Sequence, residues 1–228
     1  QLADSDRVVR SLSHSPGVRF SALIPNQKGL DRALGLGMTR MAFITAASET
    51  FSQKNTACSI AESLQRVGML ISQAKQHRIF SRVYVSCISH CPYEGKISAS
   101  AVVQLVSRLV SMGADEISLG DTTGSATPDI VSGLFKDLKS NIDMSQVAVH
   151  FHDTHGNACD NIDIALDHGV RVIDSSAAGL GGCPYAPGAS GNVATEKVVS
   201  LLAKRGIVTG VNLKKLHGAT DRILSYLK

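Results

Sequence analysis

At 228 residues, with 43% hydrophobic and 18% charged positions, the chain is long enough for one substantial core and has the make-up of an ordinary globular protein. Its formal charge of +4 is mild, and its Lys and Arg residues are scattered without a basic stripe, which argues against nucleic acid as a partner and suits an anionic small molecule. No apolar run approaches the ~20 residues that span a bilayer and no signal-peptide pattern is present, so a membrane partner is not expected.

Gln1 to Arg10 reads as the polar end of a helix already under way, so the chain is expected to begin inside a longer protein. Val18 to Ile24 predicts a strand ending at Pro25-Asn26, and Gly29 to Leu36 a short helix stopped by Gly37. Arg40 to Ile44 is the next strand, and Thr45 to Asn55 is assigned no element. A long helix follows over Ser59 to His77, opened by Ser59 and Glu62 in capping-box spacing, with Leu64, Val67, Leu70 and Ile71 recurring at helical intervals.

Arg82 to Cys87 predicts a strand, Ser89 to Lys96 a loop, and Ala99 to Met112 a helix closed by Gly113. Glu116 to Leu119 is a strand. Pro128 to Lys139 is a helix with Thr127 as its N-cap and Pro at its first position. Val147 to Val149 is an apolar strand running into His150-Phe151-His152-Asp153, and Cys159 to His168 is a helix. The Val170 to Ile173 strand leads into a glycine loop, with helices expected over Thr195 to Lys204 and Leu213 to Leu227.

Strands bridged by helices of this length imply a parallel sheet with right-handed crossovers. Six βα units are legible where a closed barrel needs eight, so the expectation is an α/β fold of the (β/α)8 TIM-barrel type lacking its first two βα units, as one catalytic domain over residues 1–228. An open doubly wound sheet is the alternative. The polar groups Asn26, Ser48-Glu49, Ser86, Asp121, His150-His152 and Ser175-Ser176 follow successive strands, and six contributing loops favour the converging ring of a barrel over a single switch point.

Period-two geometry puts His150 and His152 on one face of their strand. Neutral imidazole is the commonest metal ligand, and the loop downstream ends at Asn192, so these three residues are the candidate ligands of one divalent ion. Two imidazoles with Cys183 would suit tetrahedral zinc. Two imidazoles with the Asn192 amide, a carboxylate from elsewhere and waters would suit Mg2+ or Mn2+, which is preferred because a zinc-bound thiol is silenced as an acid or base.

The five cysteines, Cys58, Cys87, Cys91, Cys159 and Cys183, are odd in number and lack disulfide spacing, which points to a reducing compartment. Cys183, flanked by Gly182 and Pro184, is the candidate catalytic thiol, whereas Cys58, Cys87 and Cys159 read as small buried hydrophobes. Cys87 and Cys91 are weak metal candidates. Asp121 could orient a ligand or cap the following turn, and Lys54, Asn55 and Lys96 could meet phosphates or simply be solvated.

Three stretches taken together resemble the 3-hydroxy-3-methylglutaryl-CoA lyases: Ser118 to Thr122, His150 to Thr154, and Gly179-Leu180-Gly181-Gly182-Cys183-Pro184 through Asn192. Pro25-Asn26, Ala47-Ser48-Glu49, Lys54-Asn55, Tyr84 to Cys87 and Cys91 to Lys96 agree. The wider group, the TIM-barrel metallolyases, includes isopropylmalate, homocitrate and citramalate synthases that share the His-x-His strand and the later Asn; the glycine loop with its Cys resembles the lyases.

The resemblance implies that His150, His152 and Asn192 bind the metal, Mg2+ or Mn2+, with His150 also implicated in catalysis. It makes Cys183 the catalytic thiol and Asp121 and Glu196 active-site acids. Ser118, Thr122, Asn26, Ser48, Tyr84, Lys54 and Asn55 would be substrate-binding residues for an acyl-CoA. The implied reaction cleaves 3-hydroxy-3-methylglutaryl-CoA to acetyl-CoA and acetoacetate in leucine catabolism, by a homodimer of the bacterial cytoplasm or the mitochondrial matrix.

The family's first strand, with an Arg-Asp-Gly-Leu-Gln motif, and its second, with a Glu, are absent, and His155 stands where another residue type is expected. The chain is therefore expected to carry an incomplete site and to be inactive alone. An acetyl-CoA-condensing synthase and a zinc-stabilised barrel without catalysis are the competing readings.

Overall fold

The computed structural model describes residues 4–12, 17–181 and 191–227. Helix α1 (Ser5–Ser11) is followed by β1 (Ala22–Leu23), α2 (Gln27–Gly35), β2 (Arg40–Ala46), α3 (Glu49–Thr56), α4 (Ile60–Gln76) and β3 (Phe80–Ser86). A hairpin of β4 (His90–Cys91) and β5 (Gly95–Lys96) comes next, then α5 (Ala99–Met112), β6 (Glu116–Asp121), α6 (Pro128–Lys139), β7 (Val147–Phe151), α7 (Ala158–Asp167) and β8 (Val172–Asp174). The chain closes with α8 (Thr195–Lys204) and α9 (Leu213–Leu227).

The main sheet has the order β1-β2-β3-β6-β7-β8, parallel throughout. Leaving the small hairpin aside, spatial order equals chain order. A doubly wound sheet would reverse at its switch point, so steady winding marks the barrel. Curvature is visible in one side chain. β3 and β8 are three strand spacings apart, about 14 Å along the sheet at roughly 4.8 Å per step, yet Arg82 of β3 reaches Asp174 of β8 at 2.7 Å. The six strands form an arc whose concave face is narrow enough for one arginine to cross.

The two faces differ chemically. Met41, Phe43, Val83, Val85, Ile117, Leu119, Val147, Val149 and Phe151 are buried against the helices, which pack in one outer layer with chain neighbours side by side from α3 to α9. The alternate residues, Arg82, Tyr84, Ser86, Glu116, Ser118, His150 and Asp174, line the concave side by strand parity. In a parallel sheet covered by helices, a polar alternate face marks a site rather than a core.

Local signals explain most of the elements. Ser59 and Glu62 form the expected capping box at α4, and Gly113 closes α5 with φ 93°, a left-handed conformation that glycine accepts without strain. One unassigned stretch gains an element, and three expectations need correction. The unassigned stretch Thr45 to Asn55 holds most of α3, set by the Ser48 side chain accepting from the Phe51 amide at 3.1 Å, while Glu94 accepts from the Thr50 amide. The Ser89 to Lys96 loop contains the β4–β5 hairpin. The Val18 to Ile24 strand shrinks to Ala22–Leu23, which pairs with β2 alone. Thr127 precedes α6 as expected, but its side chain makes no capping hydrogen bond.

Candidate metal and acyl-thioester site

The carboxyl end of β7 carries the two histidines, and their ring centroids stand 5.5 Å apart at 57°. Two rings so placed can share one ion whose bonds to nitrogen are about 2 Å. His152 forms an isolated antiparallel bridge with Asn192, so the end of the glycine loop is stitched beside the histidine strand. The Asp153 amide donates to Gly191 O at 2.7 Å and Ser176 to Val193 O at 3.0 Å, adding to the seam.

Asn192 is itself held tightly, because its Nδ2 donates to Leu180 O at 3.0 Å. Gly181 has φ 108°, and a Cβ there would stand 2.5 Å from Asn192 Nδ2. Gly181→Ala is therefore expected to cost about 1–3 kcal/mol through backbone strain and displacement of Asn192, read as a lower urea midpoint; an unchanged midpoint would contradict the tight approach.

His152 Nδ1 is buried and has no hydrogen-bond partner. Burial, with the neighbouring His150, holds the His152 ring at about 4, so it is neutral at physiological pH and keeps its lone pair. An orphaned buried acceptor is costly unless something fills it. A divalent cation is the group that this donor set fits. No group of three or more His, Cys, Asp or Glu side chains stands at metal-binding spacing among the described residues.

On the other side of His150 lies a network that sequence reasoning missed. Asp174 Oδ2 is 3.5 Å from His150 Nδ1 and accepts from Ser118 Oγ at 3.0 Å, while Oδ1 accepts from Arg82 Nη1 at 2.7 Å. Arg82 also pairs with Glu116 and donates to the Tyr84 hydroxyl at 3.0 Å. Burial alone would raise Asp174, but His150 and Arg82 outweigh it and hold the carboxyl at about 2. The Tyr84 phenol is pushed up by burial and by the Asp174 charge, and its ring meets His150 edge-on at 5.8 Å. Tyr84 and His150 open with Leu23, Ala42 and Ile44 onto a cavity of about 400 Å³. The available signal was alternation: Arg82-x-Tyr84-x-Ser86, Glu116-x-Ser118 and His150-x-His152 each place polar residues on one strand face.

The remaining candidates fall into separate places. Asn26, Lys54 and Asn55 line one cavity of about 370 Å³ together with Arg66. Lys54 Nζ sits 4.8 Å from the Tyr93 ring centroid. Ser48 donates to Cys91 Sγ at 2.9 Å, and Thr122 Oγ1 accepts from the Cys87 amide at 2.9 Å. Asp121 is fully buried; its Oδ1 accepts from Ser89 at 2.7 Å and its Oδ2 from the Ala126 amide at 2.9 Å. Those contacts cap the turn after β6, and strand register sets Asp121 beside Phe151, between the two histidines. Glu196, in the first turn of α8, accepts from the Ala178 amide through both oxygens. Cys58, Cys87 and Cys91 are buried, and burial pushes the Cys87 thiol up to about 12. Cys183 lies outside the described residues.

With this geometry in hand, the comparison with known proteins is specific. The HMGL-like family model matches residues 4–223. The chain belongs to the HMGL-like family. Human mitochondrial hydroxymethylglutaryl-CoA lyase is 47% identical over 227 residues, covering 100% of this chain and 70% of the human protein. The Pseudomonas aeruginosa hydroxymethylglutaryl-CoA lyase structure superposes with a TM-score of 0.95 at 44% identity, over 99% of this chain and 75% of that one. An Acinetobacter baumannii HMG-CoA lyase in complex with coenzyme A and 3-methylmalate gives 0.90 at 33% identity, over 98% and 73%. Family relatives are named for both the mitochondrion and the cytoplasm, and no described helix of this chain is long and apolar enough to cross a membrane.

Proposed function

We propose that this chain forms the larger part of the catalytic barrel of a divalent-metal-dependent 3-hydroxy-3-methylglutaryl-CoA lyase, which cleaves its substrate to acetyl-CoA and acetoacetate. The observation that carries the reading is the buried, partnerless Nδ1 of His152 beside His150 and Asn192 in a member of this family. His150, His152 and Asn192 would hold the ion. Mg2+ or Mn2+ suits an imidazole-and-amide set completed by oxygen. When bound, the ion supplies Lewis acidity at the C3 hydroxyl oxygen.

The chain's own groups account for binding and proton delivery. Cleavage breaks the C2–C3 bond: the C3 hydroxyl gives its proton to a base and becomes the ketone of acetoacetate, and the bonding pair passes to C2 as the thioester enolate. The released proton returns through solvent to the thiolate left after C2 is protonated. Cys183 delivers a proton to C2, since a thiol of ordinary pKa near 8.5 is still protonated at pH 7. Tyr84 and Ser118 line the concave face for the acyl portion. Lys54 and Arg66, with Asn26 and Asn55, place two cations and two amides in a cavity otherwise lined mainly by apolar side chains, which suits the anionic part of an acyl-CoA. Asp121 and Ser48 order the loops at the strand ends, Thr122 ties one of them to Cys87, and Glu196 ties α8 to the segment before the glycine loop. A homodimer working in leucine catabolism, in a bacterial cytoplasm or a mitochondrial matrix, completes the proposal.

The test is a pair of assays on the full-length protein. Cleavage of 3-hydroxy-3-methylglutaryl-CoA restored to the metal-free protein by Mg2+ or Mn2+ is the expected result. Condensation of acetyl-CoA with a 2-oxo acid, without cleavage, would favour the synthase reading. Stoichiometric tightly held zinc with no response to Mg2+ or Mn2+ would overturn the choice of ion.

A further inference from the structure

His150 offers two nitrogens, and the concave face treats them differently. Nδ1 lies 3.5 Å from Asp174 Oδ2, and the same ring stands 5.5 Å, centroid to centroid, from His152 and borders the cavity lined by Leu23, Ala42, Ile44 and Tyr84. In neutral imidazole one nitrogen carries the proton and the other the lone pair, and the partner of the first decides which is which. A carboxylate can only accept, so Asp174 selects the form protonated on Nδ1.

Asp174 is well placed to impose that choice because it is itself immobilised. Arg82 takes Oδ1 at 2.7 Å and Ser118 takes Oδ2 at 3.0 Å, from two different strands. A carboxylate has roughly four lone-pair sites, and these two bonds leave capacity on Oδ2 toward the imidazole. Arg82 is in turn anchored by Glu116, and strand register sets His150 directly beside Asp174. Gly120, paired with His150 on its other flank, puts no side chain against the ring.

We propose that Asp174 is the positioning residue of His150: it accepts the Nδ1–H, sets the tautomer that would leave the Nε2 lone pair available to a cation, and is locked in place by Arg82 and Ser118. This rests on the metal reading above. Orienting carboxylates of this kind behind a ligating histidine typically matter 10- to 100-fold in metal affinity.

The experiment uses the full-length protein labelled with 15N, compared with Asp174→Asn and Ser118→Ala. Long-range proton–nitrogen spectra of the metal-free proteins report the His150 tautomer, titration with Mn2+ reports affinity, and thermal unfolding checks the fold. The parent is expected to show His150 protonated on Nδ1. Asp174→Asn, whose amide can donate as well as accept, is expected to lose that single tautomer and to bind Mn2+ about 10- to 100-fold more weakly. Ser118→Ala, which removes one anchor and keeps the carboxylate, is expected to weaken Mn2+ binding a few-fold, and it carries the test alone if Asp174→Asn does not fold. A parent His150 protonated on Nε2, or variants that bind Mn2+ as tightly as the parent, would overturn the assignment of Asp174. A parent that binds no Mn2+ would overturn the metal reading, and the proposal with it.

Discussion

Arg82→Ala is expected to destabilise the protein by about 3 kcal/mol, the low end of the range for breaking a buried ion pair. In a domain of this size that corresponds to a fall in Tm of about 6–12 °C. The size follows from what the substitution leaves behind. Glu116 is 7% exposed, and with Asp174 it shares one guanidinium, so its removal strands two carboxylates on the concave face. Tyr84 loses the donor to its hydroxyl as well. The low end applies because the Arg82 side chain is 17% exposed and water can partly screen the stranded charges. Thermal unfolding followed by circular dichroism checks it. Adding Glu116→Gln to the variant should recover part of the loss, since one of the stranded charges is gone; a Tm within 2 °C of the parent for Arg82→Ala alone would mean that the network contributes little.

The same network shows where sequence reading reaches and where it stops. Strands such as Val147 to Val149 and Glu116 to Leu119 were legible because residues buried under helices must be apolar, and α4 because Ser59 and Glu62 satisfy its first turn locally. His150-x-His152 was legible because a two-residue spacing already fixes a common face. The partnership of Arg82 with Asp174 was not, since the residues lie 92 positions apart and meet through the curl of a sheet that no local pattern encodes. Helix α3 was missed for a related reason. Its sequence, Glu49 to Thr56, buries only Phe51 and Ser52 and has little apolar periodicity. It is held instead by Ser48, by Glu94 from the hairpin, and by Glu49 accepting from the Ile60 amide at 3.0 Å. The short pairings β1 and β4–β5, two residues each, fall below the length at which alternation can be read. Asp121 shows the converse limit: a carboxylate at a strand end looks alike in sequence whether it faces a ligand or caps a turn, and its bonds to Ser89 and the Ala126 amide come from chain that no local pattern links to it.

Cys183→Ala in the full-length protein is expected to lower kcat by about 10²-fold or more, the usual worth of a positioned proton donor, with KM and Mn2+ affinity near the parent values. A thiol that acts on C2 and not on the cation, as proposed, takes with it a step's proton and leaves His150, His152 and Asn192 undisturbed. His152→Ala should give the opposite profile. There a neutral imidazole with a buried, partnerless Nδ1 is deleted, and Mn2+ affinity should fall by more than about 100-fold, beyond the range seen when only an outer partner is lost. Measured together by Mn2+ titration and steady-state cleavage, the two variants separate proton delivery from cation binding. Near-full turnover by Cys183→Ala would remove the thiol from the chemistry. Loss of Mn2+ binding in Cys183→Ala, to the same extent as in His152→Ala, would make the thiol a ligand and return zinc as the fitting ion.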